Sequence, residues 1–151
     1  MNPRAIIRPM VKSDLNRILE IESQNPYSWD DERFGSCFNS EGTIGLVIEY
    51  DNVVYGYMIY CVTSDSVIIL NITIDSALRR CGLGCNLIKA IKSRVDTVRR
   101  LSIDVVVPEY DIVSQLFFKN CRFKCVSIMN GYYDEHETEN DVGYLFRYQP
   151  K

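Results

Sequence analysis

Two arginines and two glycines, in the run R-R-C-G-L-G-C from Arg79 to Cys85, are the residues whose types and spacing point most directly to chemistry. Gly82 and Gly84 carry no Cβ, so a ligand can approach the backbone closely, and Arg79 and Arg80 add charge and forked N–H donors. Directly after the glycines, Leu83, Leu87, Ile91 and Val95 recur every four residues, with Lys89, Lys92 and Arg94 off that line, which predicts a helix. A helix that starts there leaves its first N–H groups without intrahelical partners and adds partial positive charge, an arrangement suited to a pyrophosphate. The run is not a Walker loop, which needs Lys-Ser/Thr after its second glycine. Nor is it G-x-G-x-x-G, because Gly84 is followed by Cys85, Asn86 and Leu87. Its plainer reading is a tight turn capping a helix.

Asp104, in the strand-like L-S-I-D-V-V-V from Leu101 to Val107, is the candidate proton acceptor. Alternation puts it on the face opposite Ile103 and Val105, where an exposed, non-catalytic carboxylate is the competing reading. The six cysteines (Cys37, Cys61, Cys81, Cys85, Cys121, Cys125) include two C-x-x-x-C spacings, and the single His136 lies far from both in sequence. That pattern argues against zinc, so no metal is expected, and it fits reduced thiols in a cytoplasmic protein. Cys81 and Cys85 lack a nearby histidine and are poor nucleophile candidates.

The elements that must position these residues follow from periodicity. Ile68 to Asp75, I-I-L-N-I-T-I-D, is β-branched and apolar, as a buried strand should be, so the glycine run sits between strand and helix. Ala5 to Pro9 is a short first strand, and Ser13 or Asp14 can cap a helix in which Leu15, Ile18, Leu19 and Glu22 share a face, ended by Asn25-Pro26. Trp29 to Phe38 reads as a shorter helix with acids at its N-terminal end. Thr43 to Tyr50 and Val53 to Val62 form a hairpin joined at Asp51-Asn52. After Pro108, Asp111 can cap a helix to about Asn120, with Ile112, Leu116 and Phe117 facing inward. Val126 to Tyr133 and Val142 to Tyr148 are the last strands. The fold class is α/β with a mixed sheet, in the order β-α-α-β-β-β-α-β-α-β-β.

With 151 residues, 46% of them hydrophobic, the whole chain 1–151 is expected to form a single domain. No apolar run approaches the roughly 20 residues that span a bilayer, and the first residues lack a secretory apolar stretch. The net charge of −3 hides an asymmetry. Between Arg79 and Arg100 lie seven basic residues and one acid, whereas Asp134 to Asp141 holds five acids and no base. The basic block can attract cofactor phosphates or be a solvated helix face, and the acidic stretch can attract a cationic acceptor or be a solvated tip. Overall acidity without a basic, aromatic stripe argues against nucleic acid as the main partner.

The R-x-x-G-x-G run between such a strand and helix resembles the acyl-CoA loop of the GNAT superfamily of N-acetyltransferases, and the element order matches that fold across the chain. The resemblance implies acetyl-CoA as co-substrate. Ile72, Thr73 and Ile74 would contact the pantetheine arm, and Arg79, Arg80, Cys81, Gly82, Leu83, Gly84 and Cys85 would hold the pyrophosphate. Three further stretches resemble the branch acting on protein N-terminal α-amines, which includes the ribosomal-protein-alanine acetyltransferases. These are Pro26-Tyr27-Ser28-Trp29 followed by Phe34, Leu101 to Val105, and Asn130-Gly131-Tyr132-Tyr133. By that resemblance Tyr27, Trp29 and Tyr132 would wall a peptide cleft, and Asp104 replaces the branch's glutamate as base. The branch's tyrosine acid falls on Phe118, its glycine on Arg122, and its cofactor-contacting asparagine on Asp111. Phe118 cannot donate a proton, so Tyr132, Tyr133 or water would have to serve.

Elementary chemistry favours an α-amine acceptor. With a pKa of about 8, it loses its proton at pH 7 for roughly 1.4 kcal/mol, against about 4.6 for a lysine at about 10.4. A thiol of pKa about 8.5 leaves readily as thiolate, and a backbone N–H of Ile72 to Ile74 is the expected oxyanion donor. Acetyl transfer to a protein or peptide N-terminus, a ribosomal protein among the options, is the leading expectation, by direct attack without an acyl-enzyme. A small-molecule amine such as a polyamine or amino acid is the alternative acceptor, and a CoA-binding module that has lost catalysis is the third reading. Edge strands leave monomer and homodimer both open.

Overall fold

The computed structural model describes residues 5–25, 28–97, 101–132 and 142–150. Its strands are β1 (Ile6–Pro9), β2 (Thr43–Tyr50), β3 (Val53–Val62), β4 (Ser66–Ile74), β5 (Ser102–Pro108), β6 (Lys124–Met129) and β7 (Gly143–Tyr148). Its helices are α1 (Leu15–Glu22), α2 (Asp31–Phe38), α3 (Leu83–Asp96) and α4 (Ile112–Asn120), with single 3₁₀ turns at Lys12–Asp14 and Ser76–Leu78. The order is the one periodicity predicts. The strands form a seven-stranded sheet in the order β1-β2-β3-β4-β5-β7-β6. The ladder between β4 and β5 is parallel, whereas β1–β2, β2–β3, β5–β7 and β6–β7 are antiparallel.

The chain divides into two compact units, Met1–Val62 with Leu70–Ile91, and Thr63–Ile69 with Lys92–Lys151. In the first, the β2–β3 hairpin turns through Asp51 (φ 54°) and Asn52 (φ 64°), both left-handed, as the right-handed strand twist requires of a two-residue turn. Ile18 and Ile21 of α1, Phe34 of α2, Val47 of β2 and Tyr57 and Ile59 of β3 make its apolar cluster, each fully buried. Gly56 on β3 is needed for close approach: a Cβ there would lie 3.1 Å from the Thr73 carbonyl and 2.4 Å from Ile74 Cδ1. A register shift at Ile48/Glu49 leaves Tyr55 between the pairs Ile48↔Gly56 and Glu49↔Val54. Asp14 does not cap α1 with its side chain, as sequence suggested. Arg8 claims the Asp14 carboxylate at 2.8 Å, and the Val11 N–H donates to it at 2.8 Å. The arginine bond outweighs the burial that opposes it and holds the Asp14 carboxyl below the usual carboxylate value.

In the second unit, Phe118 packs edge-on to Phe123 at 5.3 Å and lies 6.5 Å from Phe146. This corrects the expected inward face of α4: Phe118 is buried, while Ile112 and Leu116 are 57% and 54% exposed. The physical reason is that I-V-S-Q-L-F-F is apolar around most of the helix, and the larger aromatic takes the interior. The helix ends in a Schellman motif, with Phe123 N–H on Phe118 C=O (3.0 Å) and Arg122 N–H on Lys119 C=O (3.0 Å). Arg122 therefore holds φ at 69°, a conformation that costs a residue with a Cβ roughly 1 kcal/mol and glycine little. The following strand is shorter and earlier than predicted, because Gly131 at φ 73° turns the chain within 130–132.

Candidate functional site

The segment that leads into the glycine run is anchored at every step within the first unit. The Asp75 N–H donates to the Tyr55 carbonyl (2.7 Å), the group the β3 irregularity leaves out of register. Asp75 Oδ1 accepts from the Ala77 N–H at 2.9 Å, capping the 3₁₀ turn, and Oδ2 accepts from Arg17 Nη2 at 2.7 Å. The Ala77 amide and then Arg17 hold the Asp75 carboxyl below its usual value, against the burial that opposes ionisation. Gln24, just past the end of α1, accepts from the Ser76 N–H at 2.9 Å. Arg17 and Gln24 thus fix where the loop leaves β4. Arg79 Nε bonds back to the Ile74 carbonyl at 3.0 Å, drawing the first arginine of the run onto the strand.

Beyond that anchor the run opens. Arg80 (φ 63°) and Gly82 (φ 87°) both adopt left-handed backbone, and a Cβ on Gly82 would meet nothing within 4 Å. Gly82 is therefore required by its conformation and leaves space on its outer side. Arg79, Arg80, Cys81 and Gly82 are exposed, while Leu83, 5% exposed, seats the helix start. The first helical bond runs from Asn86 N–H to Gly82 C=O at 3.0 Å, so the N–H groups of Leu83 and Gly84 precede it at the open end of a 14-residue helix. Amides, two exposed guanidinium groups and an unobstructed glycine are donors suited to a pyrophosphate, so these residues fit the phosphates of CoA. Of the predicted loop residues, Arg79 to Gly82 and Cys85 thus face the surface, Gly84 is half-buried and Leu83 is buried.

Strand β4 pairs with β5 only from Ser66↔Ser102 to Ile69↔Val105; among the described residues, 70–74 have no β5 partner. Ile72 and Ile74 are half-buried there. The Thr73 side chain is buried on the other face, in a polar chain that sequence reasoning missed. Glu22, the last residue of α1 and 2% exposed, accepts from the Tyr57 hydroxyl, from Asn71 Nδ2 (2.5 Å) and from Asn25 Nδ2 (2.8 Å). Thr73 Oγ1 donates to Asn71 Oδ1 at 2.9 Å and accepts from Asn25 Nδ2 at 3.2 Å. Burial, and then the Glu22 charge, holds the Tyr57 phenol protonated well above its ordinary range. This chain ties Asn71 and Thr73 to the end of α1. The available signal was a carboxylate on the apolar face of α1, together with Asn71 inside an otherwise apolar strand.

The remaining predicted residues fall in different surroundings. Asp104, 9% exposed, is not a solvent-facing strand residue: both carboxylate oxygens accept from Arg147, at 2.8 and 3.0 Å, and Ser102 Oγ adds a bond at 3.1 Å. Arg147 is its register partner on β7, and the carboxylate raises the Arg147 pKa further. Asp111 caps α4, accepting from the Ser114 N–H (3.1 Å) and the Ser114 hydroxyl (2.7 Å). Trp29 packs on the apolar cluster of the first unit, 5.2 Å from the Phe34 ring and under the Arg33 guanidinium at 4.4 Å. Tyr132 is 49% exposed in the turn after β6. Phe118, at 3% exposed, is a core aromatic. Tyr27, Tyr133 and the acidic stretch Asp134 to Asp141 lie outside the described residues. None of the six cysteines forms a disulfide among the described residues.

No protein-family model matches the chain. No curated protein does either. Solved structures do. The ribosomal-protein-S18-alanine N-acetyltransferase from Escherichia coli superposes with a TM-score of 0.82 at 17% identity, over 95% of this chain and 92% of that one. Arabidopsis thaliana Naa50 in complex with the bisubstrate analogue CoA-Ac-MVNAL gives 0.78 at 15% identity, over 96% and 98%. The IAA acetyltransferase from Bacillus cereus gives 0.76 at 14%, over 95% and 98%. With its mixed sheet, its parallel β4–β5 ladder and its glycine loop opening α3, the chain has the GNAT acetyltransferase fold.

Proposed function

We propose that the chain is an acetyl-CoA-dependent N-acetyltransferase whose acceptor is the N-terminal α-amine of a protein or peptide. The observation that carries this is the anchored loop before α3: left-handed Arg80 and Gly82 open it, and its exposed guanidinium groups and helix-end amides are donors suited to a pyrophosphate. Residues 70–74, beyond the last β5 pair, offer strand backbone to the pantetheine arm, as the resemblance implies for Ile72, Thr73 and Ile74. Likeness to an alanine N-acetyltransferase and to a structure holding a CoA–peptide analogue supports an α-amine acceptor, and likeness to the IAA acetyltransferase and to a streptothricin acetyltransferase keeps a small-molecule amine as the alternative.

In the reaction, the neutral amine forms a bond to the thioester carbonyl carbon, the C–S bond breaks, and the thiolate leaves with the electron pair. The proton shed by the amine passes to water, and Asp104 is the candidate receiver. Asp104 already accepts from Arg147 and Ser102 and is one methylene shorter than the branch's glutamate, so a water relay is the proposed route for that transfer. Phe118 cannot supply a proton to the leaving thiolate, so water, Tyr132 or Tyr133 is the proposed donor.

The test is calorimetric binding of CoA, paired with mass spectrometry of a free-N-terminus peptide incubated with acetyl-CoA. The account expects binding, and a single acetyl group on the peptide α-amine. Gly82→Glu, which sets a carboxylate against the phosphates, should abolish both while circular dichroism stays native. Asp104→Asn should slow transfer without weakening CoA binding, and unchanged turnover across pH would remove Asp104 from the mechanism. Acetylation of a small amine in place of the peptide would move the acceptor assignment to the alternative.

A further inference from the structure

Between α4 and β6, away from the glycine loop in sequence, the second unit carries an open groove of about 670 Å³. Exposed Leu116 and the edges of the buried Phe123 and Phe146 give it an apolar lining, Lys119, Arg122 and Lys124 give it cations, and no acid among the described residues lines it. In a chain of net charge −3 this concentration of positive charge is local. The apolar surface continues along the exposed side of α4, where Val113 is 76% and Leu116 54% exposed. Across the groove, β6 is the last strand of the sheet, and Val126 and Ile128 are 50% and 62% exposed.

Arg122 adds an independent observation. It occupies the left-handed residue after α4, at φ 69°, where glycine would sit without penalty. The helix end therefore gives no reason for an arginine there, and the residue lines the groove. The register shift between Cys125 and Ser127 also bends the backbone of β6 away from a regular ladder, which disfavours addition of another strand and leaves recognition to side chains.

We propose that this groove docks an acidic segment of a partner protein, seating one apolar side chain against Leu116, Phe123 and Phe146 while acids on either side pair with Lys119, Arg122 and Lys124. Charge selects this occupant. A second copy of the chain related by a two-fold axis would set these cations against themselves, so the groove is not self-complementary. The proposal is independent of the acetyl-transfer reading and of the residues assigned to it.

A phage-displayed random dodecapeptide library panned on the folded full chain tests it. The expected result is enrichment of peptides with an apolar residue flanked by acids. A synthetic consensus peptide, followed by fluorescence anisotropy, should bind at least tenfold more weakly to Lys119→Glu and to Arg122→Gly, and more weakly as salt rises. Arg122→Gly relieves the left-handed backbone, so its melting temperature should rise by about 2–4 °C while peptide affinity falls, which separates lost docking from lost folding. No enrichment, a consensus without acids, or affinity unchanged in both variants would overturn the proposal. So would displacement of the peptide by an RNA oligonucleotide, or a wild-type dimer in sedimentation that Leu116→Glu makes monomeric.

Discussion

Glu22→Ala is the perturbation whose sign separates two accounts of the end of α1. On an exposed helix C-terminus a carboxylate faces the negative end of the macrodipole, so removing it would stabilise by about 0.3–1 kcal/mol. Here Glu22 is 2% exposed and accepts from the Tyr57 hydroxyl, which has no exposure to solvent at all. Asn71 and Asn25 keep other acceptors when the carboxylate goes, in Tyr57 Oη at 3.2 Å and Thr73 Oγ1 at 3.2 Å. The Tyr57 hydroxyl loses its acceptor, at a cost of about 1–3 kcal/mol. The one lost methylene adds roughly 0.8 kcal/mol. Against the dipole gain, the net loss is about 1–3.5 kcal/mol. With a urea slope of about 2 kcal/mol per molar, the midpoint should fall by about 0.5–2 M. Tyr57→Phe in the same background removes the stranded hydroxyl and should recover about 1–3 kcal/mol of that loss. Urea unfolding of the four proteins, followed by circular dichroism, measures the cycle. A Glu22→Ala protein as stable as wild type or more so, or strictly additive single variants, would refute the buried network.

Gly56→Ala brings a methyl group within 3.1 Å of the Thr73 carbonyl, so it should cost about 1–3 kcal/mol in urea unfolding and weaken CoA binding in calorimetry by displacing β4. Gly82→Ala meets no neighbour, yet must hold φ 87°; a stability loss of about 1 kcal/mol in thermal melts, with CoA affinity reduced, is expected. Because the folded Asp75 carboxyl titrates below its unfolded value, its stabilisation is complete above the unfolded pKa and is lost as pH falls through the folded one. The stability gap between wild type and Asp75→Asn should therefore close as unfolding is repeated from pH 6 downward past the ordinary value of 3.8.

Several elements were legible because one local signal dominated them. The β2–β3 hairpin has the predicted bounds, since β-branched strands flank the two residues that tolerate left-handed backbone. Leu83, Leu87, Ile91 and Val95 are all buried, as their four-residue recurrence requires. Helix α4 was misread because five of its first seven residues are apolar, so no stripe stands out, and bulk rather than spacing decides that Phe118 goes inside. The candidate site divides in the same way. The glycine loop is contiguous in sequence and could be read there. The partners of Asp104 and Glu22 could not, because Arg147 and Asn71 arrive from strands 43 and 49 residues away. A carboxylate's role is set by the donors around it, and those come from the fold.

Thiol release from acetyl-CoA tests the central claim most directly. The wild-type chain is offered peptides with free N-termini, the same peptides with capped α-amines, and a panel of small amines, with enzyme-free and amine-free controls. The account predicts release with the free peptides that capping abolishes. Release with small amines alone, or silence throughout from a chain that still binds CoA, would contradict it.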